Sequence, residues 1–351
     1  MIPIFKSRKD ELKPYLKSQL DGFIFTELSA DFLSAAGLSF LEKVPVPVDR
    51  TDLKSFINSG VSTTKIADNM ALVLGSDTHF KYADKYLQYL NKLFDATLVK
   101  VFAGKAQEAF RTGNCRRALA YLRAGMMLRG EALTAMFAYA CGCRYWYLDL
   151  EGSEEDRELI KILKSEAFFY FDAVTSAYPE FPKGWYYLGY AYVNAGQYRR
   201  AQLAWRHYLD AAASAPADAP AAHGFTAETD EDIKEIQDRL AELEDPVKLE
   251  QGAELLQAGH TVEALKILEP YAQTGYSKWW PLHFYLATAY RELGYDKEAI
   301  EGFLKVLQLS PSNADAMDAL SELYARAGDA EKSEKYTNKA KLVRSQQQSG
   351  S

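Results

Sequence analysis

The stretch "GWYYLGYAYVNAGQYRRAQLAWRHYL", residues 184–209, is dense in Tyr and Trp yet contains no Cys, no Asp or Glu and a single His. It holds little that could do chemistry and much that could pack. It also repeats: "WPLHFYLATAYRELGYDKEAIEGFLKVLQLSP", residues 280–311, and "ADAMDALSELYARAGDAEKSEKYTNKAKLV", residues 314–343, align with it. Leu188, Leu286 and Leu320 fall in register, followed by Tyr192, Tyr290 and Tyr324, then Gly196, Gly294 and Gly328. Five residues after each Gly come Ala201, Ala299 and Ser333. Repetition at such a period marks stacked supersecondary units.

The spacing predicts a helix of about 14 residues, a turn closed by Gly where positive φ costs least, and a second helix of similar length. The small side chains of Ala201 and Ala299 allow the two helices to approach. Trp205 and Phe303, four residues on, share that face and fill the space behind. Pro311 stops the second helix of its unit.

These segments resemble tetratricopeptide repeats, with Trp185, Leu188, Gly189, Tyr192, Ala201 and Trp205 holding the family's places in one unit. Leu286, Tyr290, Ala299, Phe303 and Pro311 hold them in another. The resemblance implies an all-α, right-handed superhelical solenoid of helix-turn-helix hairpins. Weaker copies run over 249–271 (Gly252, Gly259, Ala264) and 103–125 (Gly113, Ala118, Leu122). Between 125 and 184 a longer hairpin matches through Ala167, Phe171 and Pro179, although its loop "EGSEEDRE" departs from the family's short turn. Residues 62–94 read as a degenerate hairpin with a Gly-centred break, Ala83 and Leu87 taking the packing roles.

The expected organisation is a helical or extended N-terminal segment over 1–50, ending in the proline-stiffened "VPVPV". A degenerate hairpin covers 51–100 and the repeats with one extended hairpin 101–210. An Ala/Pro linker and an acidic inserted helix with Thr229 as N-cap fill 211–247, followed by C-terminal repeats over 248–343 and a disordered tail over 344–351.

Composition narrows the function. A net charge of −7 argues against nucleic acid as the partner, because phosphate binding needs a basic surface. The most apolar stretch, residues 132–150, is interrupted by Arg144 before it reaches membrane-spanning length and reads as a buried helix. Charged residues in the first twenty positions argue against an export signal, so a cytoplasmic location is expected. Cys115, Cys141 and Cys143 are too few for a disulfide framework, and Cys141 and Cys143 point apart on a helix. His79, His207, His223, His260 and His283 are scattered, and no phosphate loop, metal-ligand spacing or nucleophile elbow appears. Neither enzyme activity nor a metal or cofactor is expected.

In arrays that resemble this one, the first helices of successive hairpins line the binding face. That register assigns the inward positions to Lys183, Tyr186, Tyr190 and Asn194 in one unit, Phe284, Thr288 and Arg291 in the next-to-last, and Asp318 and Glu322 in the last. Tyr supplies contact area together with a polar tip, which suits a protein or peptide; the alternative is that these rings pack between hairpins. Family members that hold a chaperone's terminal carboxylate use Lys, Asn and Arg here, so the Tyr, Phe and Thr present argue against that ligand. Residues 100–150 carry eight Lys or Arg against three acids, and 228–245 two bases against nine acids. An alternative site is therefore a basic groove of Arg111, Arg116, Arg117 and Arg123, open to a small peptide or nucleic-acid element or covered by the acidic helix.

Overall fold

The structure, a computed structural model, describes residues 8–53, 62–94, 97–129, 132–214 and 227–349. The chain divides into two compact units, Met1–Ala191 with Ala204–Ile233, and Tyr192–Leu203 with Lys234–Ser351.

The first unit begins with helix α1 (Lys13–Leu16), strand β1 (Phe23–Thr26), helix α2 (Ala30–Ala35) and strand β2 (Val46–Asp49). The strands pair antiparallel from Phe23 opposite Asp49 to Thr26 opposite Val46. This ribbon is the one departure from an all-α chain among the described residues. The prolines of "VPVPV" hold the chain extended, and a two-stranded ribbon tolerates Pro47 because each strand has a free edge. Val46 and Val48 are fully buried, and β2 lies against helix α3 (Thr63–Ser76).

Helix α4 (Ala83–Leu93) follows α3. Gly75, expected at the break between them, lies inside α3, and the turn runs from Asp77 to Tyr82. Gly75 serves a crossing instead. A Cβ there would sit 1.8 Å from the carbonyl oxygen of Ala120, on helix α6 (Cys115–Arg129), so only glycine lets α3 and α6 meet at that point. Helix α5 (Leu98–Arg111) pairs with α6, and helix α7 (Leu133–Asp149) pairs with helix α8 (Arg157–Ala177) across a longer loop that contains Gly152 at φ 93°. Helices α9 (Pro182–Asn194) and α10 (Tyr198–Ser214) form the next hairpin, whose tip groups with the second unit. The Ala/Pro linker expected over 211–225 lies, from residue 215, outside the described residues.

Helix α11 (Asp230–Glu242) begins in the first unit and belongs to the second from Lys234, which continues with α12 (Glu244–Gln257), α13 (Thr261–Leu268), α14 (Trp280–Glu292), α15 (Asp296–Leu309), α16 (Ala314–Arg326) and α17 (Ala330–Ser349). Thr229 caps α11: the Asp232 N–H donates to Thr229 Oγ1 at 3.1 Å and the Thr229 N–H donates to Asp232 Oδ2 at 2.9 Å. Helix α17 runs through 344–349, where a disordered tail was expected.

Five turns are built identically. Gly113, Gly196, Gly259, Gly294 and Gly328 adopt φ between 69° and 81°. The N–H of the next residue donates back to the carbonyl four residues before the glycine, in the pairs Asn114–Ala109, Gln197–Tyr192, His260–Leu255, Tyr295–Tyr290 and Asp329–Tyr324, at 2.8–2.9 Å. The carbonyl of that same residue then accepts from Ala118, Ala201, Ala264, Ala299 or Ser333 at 3.0–3.1 Å and so opens the second helix. One left-handed residue closes the first helix and starts its partner. Ala118, Ala201, Ala264 and Ala299 are fully buried, as are Trp205, Leu268 and Phe303 four residues further on. The repeats are tetratricopeptide-type hairpins stacked as an all-α array within each unit.

Replacing Gly75 with Val should destabilise the first unit by about 3 kcal/mol, since the added carbons meet backbone that cannot rotate away. Gly104→Ala, where a Cβ meets nothing within 4 Å, should be neutral or slightly stabilising. Urea unfolding of both variants checks the pair; equal midpoints would contradict the crossing argument.

Candidate binding groove on the first helices

Helices α5 and α7 are the first helices of successive hairpins, and between them the surface of the first unit is open. Two adjoining openings of about 430 and 480 Å³ share Ala103, Gln107, Leu122 and Ala138 and so form one groove. Its α7 wall is a stripe of Thr134, Ala138, Cys141, Tyr145 and Leu148, spaced four, three, four and three residues apart along one helical face. Its α5 wall presents Lys100, Ala103, Gly104 and Gln107. Tyr145 is 50% and Leu148 40% exposed.

The opposite face of α7 explains why the stripe is left over. Met136, Tyr139, Ala140 and Cys143 fill the core, so α7 is apolar on both sides. The expectation of a helix buried all round is corrected for this one stripe. Gly142 brings α7 down onto α5 and α6, because a Cβ there would sit 2.8 Å from Phe110 and 3.0 Å from Leu119. Phe110 in turn packs edge-on against Tyr145 at 5.3 Å.

The sequence-predicted positions divide. Lys183, Tyr186 and Tyr190 do lie on one side of α9, but the rings are half-buried: Tyr186 packs edge-on against Tyr208 at 5.6 Å and Tyr190 against Trp205 at 5.0 Å. Lys183 faces the chain's own Glu228 at 3.6 Å, and Tyr208 donates to the other Glu228 oxygen at 3.1 Å. Burial raises the Glu228 carboxyl above its usual range against the opposing pull of Lys183. This part of the acidic stretch thus lies on α9, not on the arginines of α5 and α6. Asn194 is exposed. In the second unit Phe284 packs against Phe303 at 5.5 Å in the α14–α16 core, Arg291 lies 3.7 Å from Glu322, and Thr288 Oγ1 is buried. Asp318 pairs with Arg344 at 2.5 Å.

The four arginines of the alternative groove do not converge. Arg111 is exposed and holds Glu108 at 2.6 Å. Arg116 lies 5.8 Å over the Trp146 ring. Arg117 donates to the Tyr121 hydroxyl at 3.0 Å beside Asp68, which also binds Lys105 at 2.6 Å. Arg123 is 2% exposed and bound to Asp10 at 2.5 Å, which removes it from any surface groove. The local surplus of basic residues had placed Arg123 with its neighbours, and only the N-terminal segment folding over α6 reveals its inward direction.

Asp10 also accepts from the Thr78 N–H at 3.2 Å and the Thr78 hydroxyl at 2.9 Å. Nearby, Arg8 binds Glu166 at 2.9 Å and Tyr139 donates to Glu166 at 2.9 Å. Burial pushes the Asp10 carboxyl up, but the Arg123 guanidinium and the Thr78 hydrogen bonds together outweigh it and hold the carboxyl below its ordinary 3.8. The groove itself offers no activated nucleophile: burial pushes the Cys141 thiol up to about 12, despite Arg144 nearby.

Among solved structures the chain is similar to the tetratricopeptide domain of P58(IPK), at 16% identity over 89% of this chain and 81% of that one, with a TM-score of 0.44. It is also similar to MamA 41-end from Desulfovibrio magneticus RS-1, at 18% identity over 59% of this chain and 96% of that one, TM-score 0.33. A third is an IFIT1 monomeric mutant with Gppp-AAAA, at 16% identity over 79% and 54%, TM-score 0.32. No protein-family model and no curated protein matches the chain. The fold assignment rests on the five identical turns. No helix among the described residues is long and apolar enough to cross a membrane.

Asp10→Asn should cost about 3–5 kcal/mol, because it leaves the Arg123 charge buried without a counterion. With its folded-state carboxyl held below the unfolded value, the pair contributes stability that is present above pH 4 or so and is lost as pH falls through the folded value. The stability of the wild type should therefore fall on acidification more steeply than that of Asp10→Asn; parallel pH profiles would contradict the assignment.

Proposed function

We propose that this protein is a non-catalytic adaptor that recognises a protein or peptide through the faces formed by the first helices of its hairpins. The groove between α5 and α7 carries the reading: an open, largely apolar trough on a rigid array, with exposed Tyr145 and Leu148 beside it. A tyrosine and a leucine standing free on a packed helix cost little ordering entropy on binding and offer large contact area. On α9 the groove is lined by Tyr187, while Tyr186 and Tyr190 pack against Tyr208 and Trp205 of α10 and Lys183 faces Glu228. Phe284, Thr288 and Arg291 support the hairpins of the second unit, with Asn194 exposed at the α9 end. Scattered histidines and elevated thiols favour binding over chemistry.

The test is affinity capture with quantitative mass spectrometry, comparing the wild type with Tyr145→Ala/Leu148→Ala and with Tyr295→Ala, whose ring is 54% exposed in the second unit. Proteins recovered by the wild type and by Tyr295→Ala should be depleted about tenfold by the groove variant. Equal recovery by all three would contradict the reading.

A further inference from the structure

The charge of the groove identifies its occupant more closely, on the footing of the adaptor reading. Among the described residues its lining contains no Asp or Glu, and the two charged residues there, Lys100 and Arg144, are both cationic. Neither makes an ion pair with any described residue; Arg144 lies 5.4 Å over the Tyr187 ring. The neighbouring cations are committed elsewhere, Lys105 and Arg117 to Asp68 and Arg111 to Glu108. The groove thus carries positive charge that no described acid offsets.

Their placement is specific. Lys100 stands by Thr134 in one opening and Arg144 by Tyr145 in the other. Thr134 and Arg144 are separated by ten residues of α7, about 15 Å at 1.5 Å per residue. Between them the two walls present Ala103, Gly104, Ala138 and Cys141, residues small enough to let another helix lie close. Two residues of a helix about 11 positions apart, three turns, fall on one face and span that distance.

We propose that the α5–α7 groove takes an acidic amphipathic helix of a partner protein, its apolar stripe against the small residues of the two walls and two carboxylates about three turns apart paired with Lys100 and Arg144. The apolar contact gives affinity, and the carboxylates fix direction and register. Partly exposed pairs of this kind discriminate more than they bind, and salt weakens them.

The experiment is fluorescence anisotropy on the full chain with three labelled synthetic peptides of one apolar stripe: Glu at positions 2 and 13, Glu at positions 2 and 8, and Lys at positions 2 and 13. The first should bind best, the Lys peptide about tenfold more weakly, and raised salt should narrow the gap. Lys100→Glu/Arg144→Glu, with its fold checked by circular dichroism, should invert the order of the first and third peptides. Equal affinity of all three peptides, or no binding by any at millimolar concentration, overturns the acidic-helix assignment. Loss of captured proteins in Tyr145→Ala/Leu148→Ala alongside either result would leave the adaptor reading in place and this occupant rejected.

Discussion

The structure depends on how closely two helices of a hairpin can approach. Seven residues before each of the five turn glycines stands a small residue: Ala106, Gly189, Gly252, Ala287 or Ser321. A Cβ at Gly189 would sit 2.1 Å from Trp205 Nε1, and one at Gly252 2.6 Å from Leu268. Trp205 and Leu268, each nine positions after its turn glycine, occupy the space that the small residue leaves. The turn glycine fixes the phase of the second helix, so the two constraints meet: with the wrong turn the large side chain would not find the gap. Because each hairpin is fixed in this way, its first helix presents a defined outer stripe, and a groove between two such stripes comes already formed.

The N-terminal segment solves a different problem. An array's first hairpin has an apolar flank with no preceding neighbour, and here α3 is buried along nine of its 14 residues. The β1–β2 ribbon and the residues around α1 lie over α3 and α6, anchored by Asp10 on the buried Arg123. The ion pair is costly to desolvate, and Nε and Nη1 of Arg123 have no hydrogen-bond partner. Leu12, Leu16, Val46 and Val48 of the same segment are buried as well, so the ion pair adds a directional contact to apolar burial.

Periodicity made much of the fold legible. Tyr192, Gly196, Ala201 and Trp205 recur at fixed offsets, and each offset corresponds to a bond or a packing contact. Gly75 looked like a sixth turn because composition alone does not distinguish a glycine needed for φ from one needed for closeness. The groove was partly readable. Thr134, Ala138, Cys141, Tyr145 and Leu148 form a second apolar stripe on a helix that already has one, but a helix apolar all round reads as buried. Tyr186, Tyr190 and Phe284 stood out by size, and size is also what packs. The direction of Arg123 was set by Asp10, more than a hundred residues away, beyond the reach of local patterning.

The first-helix stripe of α7 faces solvent, and as the adaptor surface it is what a partner would cover. Hydroxyl-radical footprinting of the full chain, alone and with the Glu-2/Glu-13 peptide, tests it side chain by side chain. Strong labelling of Tyr145 and Leu148 is expected in the free protein, little at Tyr139 and Tyr147 on the same helix, and protection of Tyr145 and Leu148 when the peptide is bound. Unlabelled Tyr145 in the free protein, or protection confined to α14–α17, would contradict it.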